Sequence, residues 1–465
     1  MNATQIRKSL PDAAWRRLEE ALGMPALLVT PARALDDIQT APSRLPPNIL
    51  EEMTRLLGEG RVHQALAARA AHMPGLDAQL RLRQGDAGGV PDAVLRPADS
   101  AQLVALLRLC ADAAIAVGPL ACGAADAVHV ALDLSSLDAI EDIDTLSGQV
   151  RAGGGLGVAA LDSALTPRGL MLECATADPL MTVAAWTRHA PGLRGARLVT
   201  PQGPAVLDDD PGMAAVLAGG GVVTAATLAV RRRPAGSEPL RWCFPDFAAG
   251  LAALREAARE GLAPIQPHLS DDQQTALFDS LEPEPSILAA LWARLRKQRA
   301  GGASLSLQLA RGEQAQFKAI ATRLGAWAAP VRERMAMRAL AHALLERGAA
   351  MDQTSRRVSW AKLPGLYAAA RAALDGVMAQ HAPREGARGL VLASVDAPDA
   401  HGANLTLRWI YARKLDDEVA QAESIHARAL QVMASPSDPL AAAARAAMID
   451  VLDPKGIVRP LQAPL

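Results

Sequence analysis

The chain has 465 residues, of which 50% are apolar and 21% are charged, and its formal net charge is −1. That length predicts two or three domains. The balanced charge and an aromatic content of 3% disfavour a nucleic-acid-binding surface, and no apolar run approaches the roughly 18–20 residues that span a bilayer.

The first part of the chain predicts helices, and the next part predicts alternating strands and helices. In residues 1–75, apolar side chains recur at three- and four-residue spacing around a proline-rich break at 41–47. From 76 to 235 we expect strands at 93–97, 115–118, 128–134, 149–155, within 195–207 (two strands) and 222–234, with helices at 100–113 and 158–169. Asp99 or Ser100 is the expected N-cap of the first of these helices.

A linker is predicted at 231–239, followed by a second block of helices and strands. The segment 244–262 has helical spacing, whereas 304–311 and 403–413 alternate as strands do. Long alanine-rich helices lie between and after these strands. The residues therefore indicate an α+β protein.

No catalytic motif stands out among these elements. The nine histidines are isolated from one another, and no metal-binding cluster, GxSxG or Walker A pattern occurs. The glycine-rich stretches 152–157 and 217–221 lack GxGxxG spacing and are interpreted as turns. The four cysteines (Cys110, Cys122, Cys174 and Cys243) stand far apart, which predicts reduced, buried thiols in a cytoplasmic protein.

Six stretches resemble, in order, parts of one known family. They are LRLRQGDAGGVPDAVLRPADSAQLVALLRLC (80–110), 130–172, VVTAATLAVRRRP (222–234), 244–264, VSWAKLPGLYAAARAAL (358–374) and VLDPKGIVRP (451–460). Together they resemble FAD-linked oxidases of the p-cresol methylhydroxylase/vanillyl-alcohol oxidase (PCMH) type. The nearest branch is that of bacterial relatives of alkyldihydroxyacetone-phosphate synthase (alkylglycerone-phosphate synthase).

The resemblance implies an α+β fold with a two-subdomain PCMH-type FAD-binding domain, an α+β cap (substrate) domain and an N-terminal helical segment. The implied boundaries are 1–75 for the N-terminal segment, 76–235 for the FAD-binding-type domain, 236–445 for the cap and 446–465 for a C-terminal return to the FAD-type domain.

The resemblance also implies FAD as the cofactor, held by three glycine-rich segments whose backbone N–H groups approach its phosphates. The corresponding candidate cofactor residues are Pro119, Leu120, Ala121, Cys122, Gly123, Thr182, Ala184, Ala185, Gly219, Gly220, Gly221 and Thr224. Only Gly123 remains of the glycines in the first segment, and Ala184 and Ala185 stand where the family has paired glycines. These substitutions predict that FAD is lost, with side chains such as Trp186 and Leu120 filling its cleft; no metal is expected.

The catalytic positions of the family are substituted as well. Its Arg–Asp pair falls on Ala341 and His342, its branch-specific tyrosine falls on Ala397, and its histidine-rich turn corresponds to 433–444, which has no histidine. The remaining weak candidates for catalysis are His342, His401 and His426, with Tyr411 and Arg338 behind them.

Three functional hypotheses follow. The first is a pseudoenzyme: a degenerate family member that acts as a structural or regulatory partner of an active flavoprotein paralog, or that self-associates. The second is a working FAD enzyme with rebuilt loops, either an oxidoreductase acting on a small hydroxy acid or an alkylglycerone-phosphate-synthase-like enzyme. The third is a protein that binds a small ligand in the vacated cleft.

Overall fold

The computed structural model describes residues 12–38, 43–73, 75–118, 128–173, 181–187, 192–208, 220–234, 236–281, 302–331, 337–434 and 439–458. The chain separates into two compact units. The two-sheet unit consists of Arg33–Arg233 and the chain from Ser435 onward. The seven-stranded unit consists of the chain up to Ala32 and Pro234–Ala434.

The elements up to Arg233 are numbered in chain order. They are α1 (Asp12–Ala21), α2 (Pro47–Leu57), β1 (Val62–His63), α3 (Leu66–Ala70), α4 (Gly75–Gln84), β2 (Ala93–Leu95), α5 (Ser100–Asp112), β3 (Ala116–Gly118), β4 (His129–Leu132), β5 (Ile140–Asp144), β6 (Gln149–Gly153), α6 (Val158–Leu165), β7 (Leu170–Leu172), α7 (Val183–Trp186), β8 (Leu193–Thr200), β9 (Gly203–Leu207) and β10 (Val222–Arg232).

The remaining elements follow the same numbering. They are β11 (Glu238–Cys243), α8 (Phe247–Arg259), β12 (Ile265–Ser270), α9 (Asp272–Leu281), β13 (Ser304–Leu309), α10 (Gln314–Arg323), β14 (Trp327–Ala329), α11 (Met337–Glu346), β15 (Ala349–Ser359), α12 (Leu363–Gln380), β16 (Leu390–Asp396), β17 (Gly402–Ala412), α13 (Glu418–Met433) and α14 (Pro439–Leu452).

The first sheet of the two-sheet unit has the order β1-β2-β4-β3. Strands β2, β4 and β3 are parallel, and α5 makes the crossover from β2 toward β3. The helix begins where the sequence predicts, because the Asp99 side chain accepts a hydrogen bond from the Gln102 N–H at 2.8 Å. The C-terminal segment covers the free edge of β3, where the Val117 N–H donates to the Ile457 carbonyl at 2.8 Å.

The second sheet of this unit is antiparallel, with the order β5-β6-β10-β8-β9 and β7 also paired to β10. Strand β10 is buried continuously from Val222 to Val230. Its residues contribute to two separate hydrophobic clusters, which explains why it has no polar alternation.

The seven-stranded unit is built on an antiparallel sheet of order β14-β11-β13-β12-β16-β17-β15. Helix α8 packs closely against this sheet, since a Cβ on Gly250 would lie 2.5 Å from Leu269 Cδ1. Helix α1 belongs to the same unit: Trp15 and Leu18 pack in one buried cluster with Leu277, Leu344 and other apolar residues of α9, α11 and the sheet.

Most of the predicted elements are confirmed, whereas eight of the described strands were not predicted. Strand β10 lies within the predicted strand 222–234, and the strands at 304–309 and 402–412 lie where the alternation placed them. The helix at 158–165 leads through a 3₁₀ turn to Gly169 in the left-handed region, φ 67°. No counterpart in the prediction exists for β1, β5, β7, β11, β12, β14, β15 and β16. Residues 1–75 do not lie in a single unit, because α1 packs with α9 and α11 whereas α2 packs with α5.

Candidate functional site

The first candidate flavin segment lies outside the described residues, and the third lies only partly within them. Pro119, Leu120, Ala121, Cys122, Gly123 and Gly219 lie outside them. The two strands that flank the first segment are described: β3 precedes it and β4 follows it, and these strands are parallel neighbours.

The second segment forms α7, and its backbone donors are used within the chain. The N–H of Val183 donates to the Leu156 carbonyl at 2.8 Å, and that of Ala184 donates to the Gly154 carbonyl at 2.9 Å. The N–H of Ala185 donates to Thr182 Oγ1 at 3.3 Å, which makes Thr182 the N-cap of this short helix. The next two amides, of Trp186 and Thr187, donate back into the same turn.

Gly154 joins the second segment to the third. Its carbonyl accepts from Ala184, and its own N–H donates to the Thr224 carbonyl at 2.7 Å. Thr224 lies at a register shift of β10 against β8, and its hydroxyl donates to the Arg197 carbonyl at 3.2 Å. The candidate residues Thr182, Ala184, Ala185 and Thr224 are therefore brought together around one glycine.

Close packing explains why glycines stand at this junction. A Cβ on Gly154 would lie 2.3 Å from the Val223 carbonyl oxygen and 3.2 Å from the methyl group of Ala184. A Cβ on Gly155 would lie 1.8 Å from the Leu134 carbonyl oxygen. The turn predicted at 152–157 is present. Glycine is required there because neighbouring backbone approaches closely, and not because of a positive φ, which none of these glycines has.

The described part of the third segment is packed against the chain's own C-terminal helix. A Cβ on Gly220 would lie 3.3 Å from Leu452 Cδ1, so α14 lies directly against this glycine. Gly221 faces Thr200, whose Cγ2 would be 3.0 Å from an added Cβ.

Trp186 is a core residue of the two-sheet unit. It is 6% exposed and packs in the cluster formed by residues of β6, α6, β7, β8 and β10. Its burial is therefore accounted for by the packing of the six-stranded sheet. Leu120, the other side chain expected to fill the flavin cleft, lies outside the described residues.

The described second segment does not fit a flavin phosphate. A phosphate cradle needs backbone N–H groups that are free to point at the ligand. Every amide from Val183 to Thr187 donates to an acceptor of this chain, and the Ala184 methyl group lies beside Gly154.

The five candidate catalytic residues come from α11, β17, α13 and one turn. His342 and Arg338 are exposed on α11, and His401 is exposed in the turn before β17. Tyr411 is 2% exposed on β17. His426, on α13, meets an acidic partner: its Nδ1 lies 2.6 Å from Oδ2 of Asp352 on β15.

Two rows of mostly polar side chains run across one face of the seven-stranded sheet. The sequence analysis did not predict this arrangement. Directly paired residues of neighbouring strands share a face, and so do residues two apart on one strand. The first row is Arg241, Ser306, His268, Asp396, Asn404 and Arg357. The second row is Cys243, Ser304, Ser270, Ser394, Thr406 and Ser355.

Hydrogen bonds link the members of these rows to one another and to α9. His268 Nδ1 lies 2.6 Å from Asp396 Oδ1, and its Nε2 lies 3.1 Å from the side-chain nitrogen of Gln274. Arg408, two residues beyond Thr406, donates to Ser394 Oγ at 3.0 Å and to the Gln353 amide oxygen at 3.0 Å. Six separate segments build this face, so no short motif in the sequence could have revealed it.

The described cysteines match their predicted state. Cys110 and Cys243 are buried and form no disulfide, and burial raises the pKa of the Cys110 thiol to about 12. Cys122 and Cys174 lie outside the described residues. Within the described residues, no group of three or more His, Cys, Asp or Glu side chains could hold a metal ion.

Family models match two consecutive parts of the chain. Residues 91–225 match the FAD binding domain model, and residues 234–435 match the model of the C-terminal domain of FAD linked oxidases. The chain belongs to the FAD-linked oxidase family. Membership confirms the resemblance drawn from the sequence and the PCMH-type α+β fold, and it implies FAD as the family's cofactor.

Solved structures share the fold of this family member along nearly its whole length. Alkyldihydroxyacetonephosphate synthase is 17% identical over 96% of this chain and 92% of the synthase chain, with a TM-score of 0.76. 4-Ethylphenol oxidase from Gulosibacter chungangensis, in an isoeugenol complex, is 15% identical over 91% of this chain and 99% of its own, with a TM-score of 0.61. p-Cresol methylhydroxylase with substrate bound is 13% identical over 90% of this chain and 97% of its own, with a TM-score of 0.64.

Among the described residues, no helix is both long and apolar enough to cross a membrane.

Proposed function

We propose that this chain is a non-catalytic member of the FAD-linked oxidase family. It acts in the cytoplasm as a structural or regulatory partner of an active flavoprotein paralog, or through self-association. The proposal rests on one observation above all: the backbone donors of α7 are used by the chain itself, and alanine methyl groups stand where the family resemblance expects glycines.

The arrangement of the catalytic candidates supports the same proposal. Acid–base catalysis needs groups within hydrogen-bond reach of a common substrate atom. His342 and His401 are exposed on separate elements. His426 forms a pair with Asp352, and Asp352 does not share a sheet face with the polar rows, because it is paired with Trp409 and not with their members.

Flavin binding tests this proposal directly. The purified protein is incubated with FAD, desalted and examined for the visible flavin band, with an active FAD-linked oxidase as the positive control. We expect no retained band. We also expect none after Ala184→Gly with Ala185→Gly, since the hydrogen bonds of α7 remain. A retained, stoichiometric band in the unaltered protein would contradict the proposal and favour a working FAD enzyme with rebuilt loops.

Partner binding is tested in the native host. A tagged copy is purified under mild conditions, and the eluate is examined for flavin absorbance and by native mass spectrometry. The proposal expects either a flavoprotein of the same family in fixed ratio or a defined homo-oligomer. A monomer that elutes alone would contradict it.

The polar rows favour a second function, binding of a small polar ligand. They offer hydroxyl, imidazole, carboxylate and guanidinium groups on one sheet face. Against this function, members of the rows are already engaged within the chain: His268 with Asp396, and Ser394 with Arg408. A ligand-induced rise in Tm with a small-molecule panel, removed by Arg408→Met, would favour it.

A further inference from the structure

A buried carboxyl group lies at the junction of β12 and α9, and neither the polar rows nor the flavin segments include it. Asp271 is 0% exposed. Its backbone N–H donates to the Ala393 carbonyl of β16 at 2.9 Å. Its Oδ1 accepts from the Gln274 N–H at 2.8 Å, and its Oδ2 accepts from the Tyr367 hydroxyl of α12 at 3.2 Å. One side chain therefore contacts α9 and α12, and its backbone contacts the sheet.

The charged groups around Asp271 come from the two helices. Arg371 of α12 donates to the Tyr367 oxygen at 2.6 Å, and its Nη1 lies 3.4 Å from Asp272 Oδ1 and 3.9 Å from Asp271 Oδ2. Arg371 thus stands between two carboxyl groups of the β12–α9 junction. Asp375, one turn further along α12, also lies within the electrostatic reach of Arg371.

Burial makes this carboxyl group titrate in a mildly acidic range. Burial raises the pKa of Asp271 to about 6; the neighbouring Asp272 adds to the rise, while the hydrogen bonds from Gln274 and Ala393 and the charge of Arg371 oppose it. Burial also raises the pKa of Tyr367, so that its hydroxyl keeps its proton throughout this range.

We propose that Asp271, Tyr367 and Arg371 form a proton-operated latch between the β12–α9 junction and α12. When Asp271 is ionised, its buried charge needs the Tyr367 O–H and the approach of Arg371, and both come from α12. When Asp271 takes up a proton from water, that need disappears, and Arg371 keeps its shorter contact, the one with Asp272. The proton therefore decides whether Asp271 takes part in holding α12. The latch needs neither flavin nor a partner protein, so it stands apart from the proposed function.

The chain's two tyrosines, Tyr367 and Tyr411, allow a site-specific test. Incorporation of 3-fluorotyrosine gives two ¹⁹F signals, and Tyr367→Phe assigns them. We expect the Tyr367 signal to shift with a midpoint near pH 6, as set by the pKa of Asp271 of about 6. A Tyr367 signal that stays fixed between pH 4.5 and 7.5 would overturn the proposal.

Variants separate Asp271 from its neighbours. Asp271→Asn should abolish the shift of the Tyr367 signal, while the matched control Asp272→Asn should keep it, because Asp272 does not bind the tyrosine. Arg371→Gln should move the midpoint to higher pH, since it removes the charge that opposes the rise. A shift that persists in Asp271→Asn, or a midpoint that Arg371→Gln leaves unchanged, would assign the titration to another group. Arg371→Gln keeps the test decisive if Asp271→Asn does not fold.

Discussion

Gly153, Gly154 and Gly155 each leave room for a neighbouring backbone carbonyl. An added Cβ would lie between 1.8 and 2.3 Å from such an oxygen at all three positions, and real side chains do not approach backbone that closely. Because backbone atoms cannot swing aside as a flexible side chain does, this triplet fixes how β6 leaves its sheet. It also holds the Ala184 and Thr224 segments together.

At this residue scale we predict that Gly155→Ala destabilises the protein by about 2 kcal/mol or more, since the new methyl group meets the Leu134 carbonyl. The matched control is Gly376→Ala, in the exposed middle of α12, where an added Cβ meets nothing within 4 Å. There the free energy of unfolding should rise by about 0.5–1 kcal/mol, because alanine favours a helix over glycine. Chemical denaturation of both variants measures the two effects. Equal destabilisation would contradict the steric explanation.

At the scale of elements, α1 shows how a short helix depends on docking. A helix of 10 residues is marginal in isolation. Here Trp15, Leu18 and Leu22 are buried against α9 and α11, and the Arg388 side chain donates to the Ala21 carbonyl at 3.0 Å at the helix end. Packing and the satisfied C-terminal carbonyl, more than helix propensity, hold α1 in place.

We therefore expect Trp15→Ala to lower the free energy of unfolding by about 3–5 kcal/mol, because it empties a buried site 5% exposed. The neighbouring control, Arg16→Ala, removes an exposed side chain and should change stability by less than about 0.5 kcal/mol. Thermal melts followed by far-UV circular dichroism measure both. If the two variants melt alike, α1 does not contribute to the core of the seven-stranded unit.

At the scale of the whole molecule, each unit is assembled from distant parts of the chain. The seven-stranded unit takes α1 from the beginning of the chain, and the two-sheet unit takes α14 and the segment up to Val458 from its end. The C-terminal segment fills the two-sheet core through Ile457, which is 4% exposed, and forms a parallel bridge between Val458 and Val117. Folding of either unit therefore requires loop closure over long stretches of chain.

This organisation predicts that Ile457→Ala destabilises the two-sheet unit by about 2–5 kcal/mol, as for other large-to-small core changes. Val451→Ala is the control: it lies in the same part of the chain but is 72% exposed, so its effect should be near zero. Hydrogen exchange locates the loss, which we expect in β3 and β4. Loss confined to the seven-stranded unit would contradict this assignment of the C-terminal segment.

Local patterns along the chain were enough to predict the strongly patterned elements, and six motifs in order were enough to predict the family. The Asp99 cap, the apolar run of β10 and the alternation of β13 and β17 depend on near neighbours, and each element lies where predicted. Strand β15 was missed because its segment DQTSRR is polar on both faces, which hides the alternation expected of a half-buried strand.

Only the tertiary structure decided which polar groups meet. His426 and Asp352 are 74 residues apart, and Tyr367 and Asp271 are 96 apart. The rows from Arg241 to Arg357 depend on the register of six strands, and a slip of one residue would turn each side chain to the opposite face. Register is set by the packing of the whole sheet and by long-range closure, and neither leaves a mark in a short stretch of sequence.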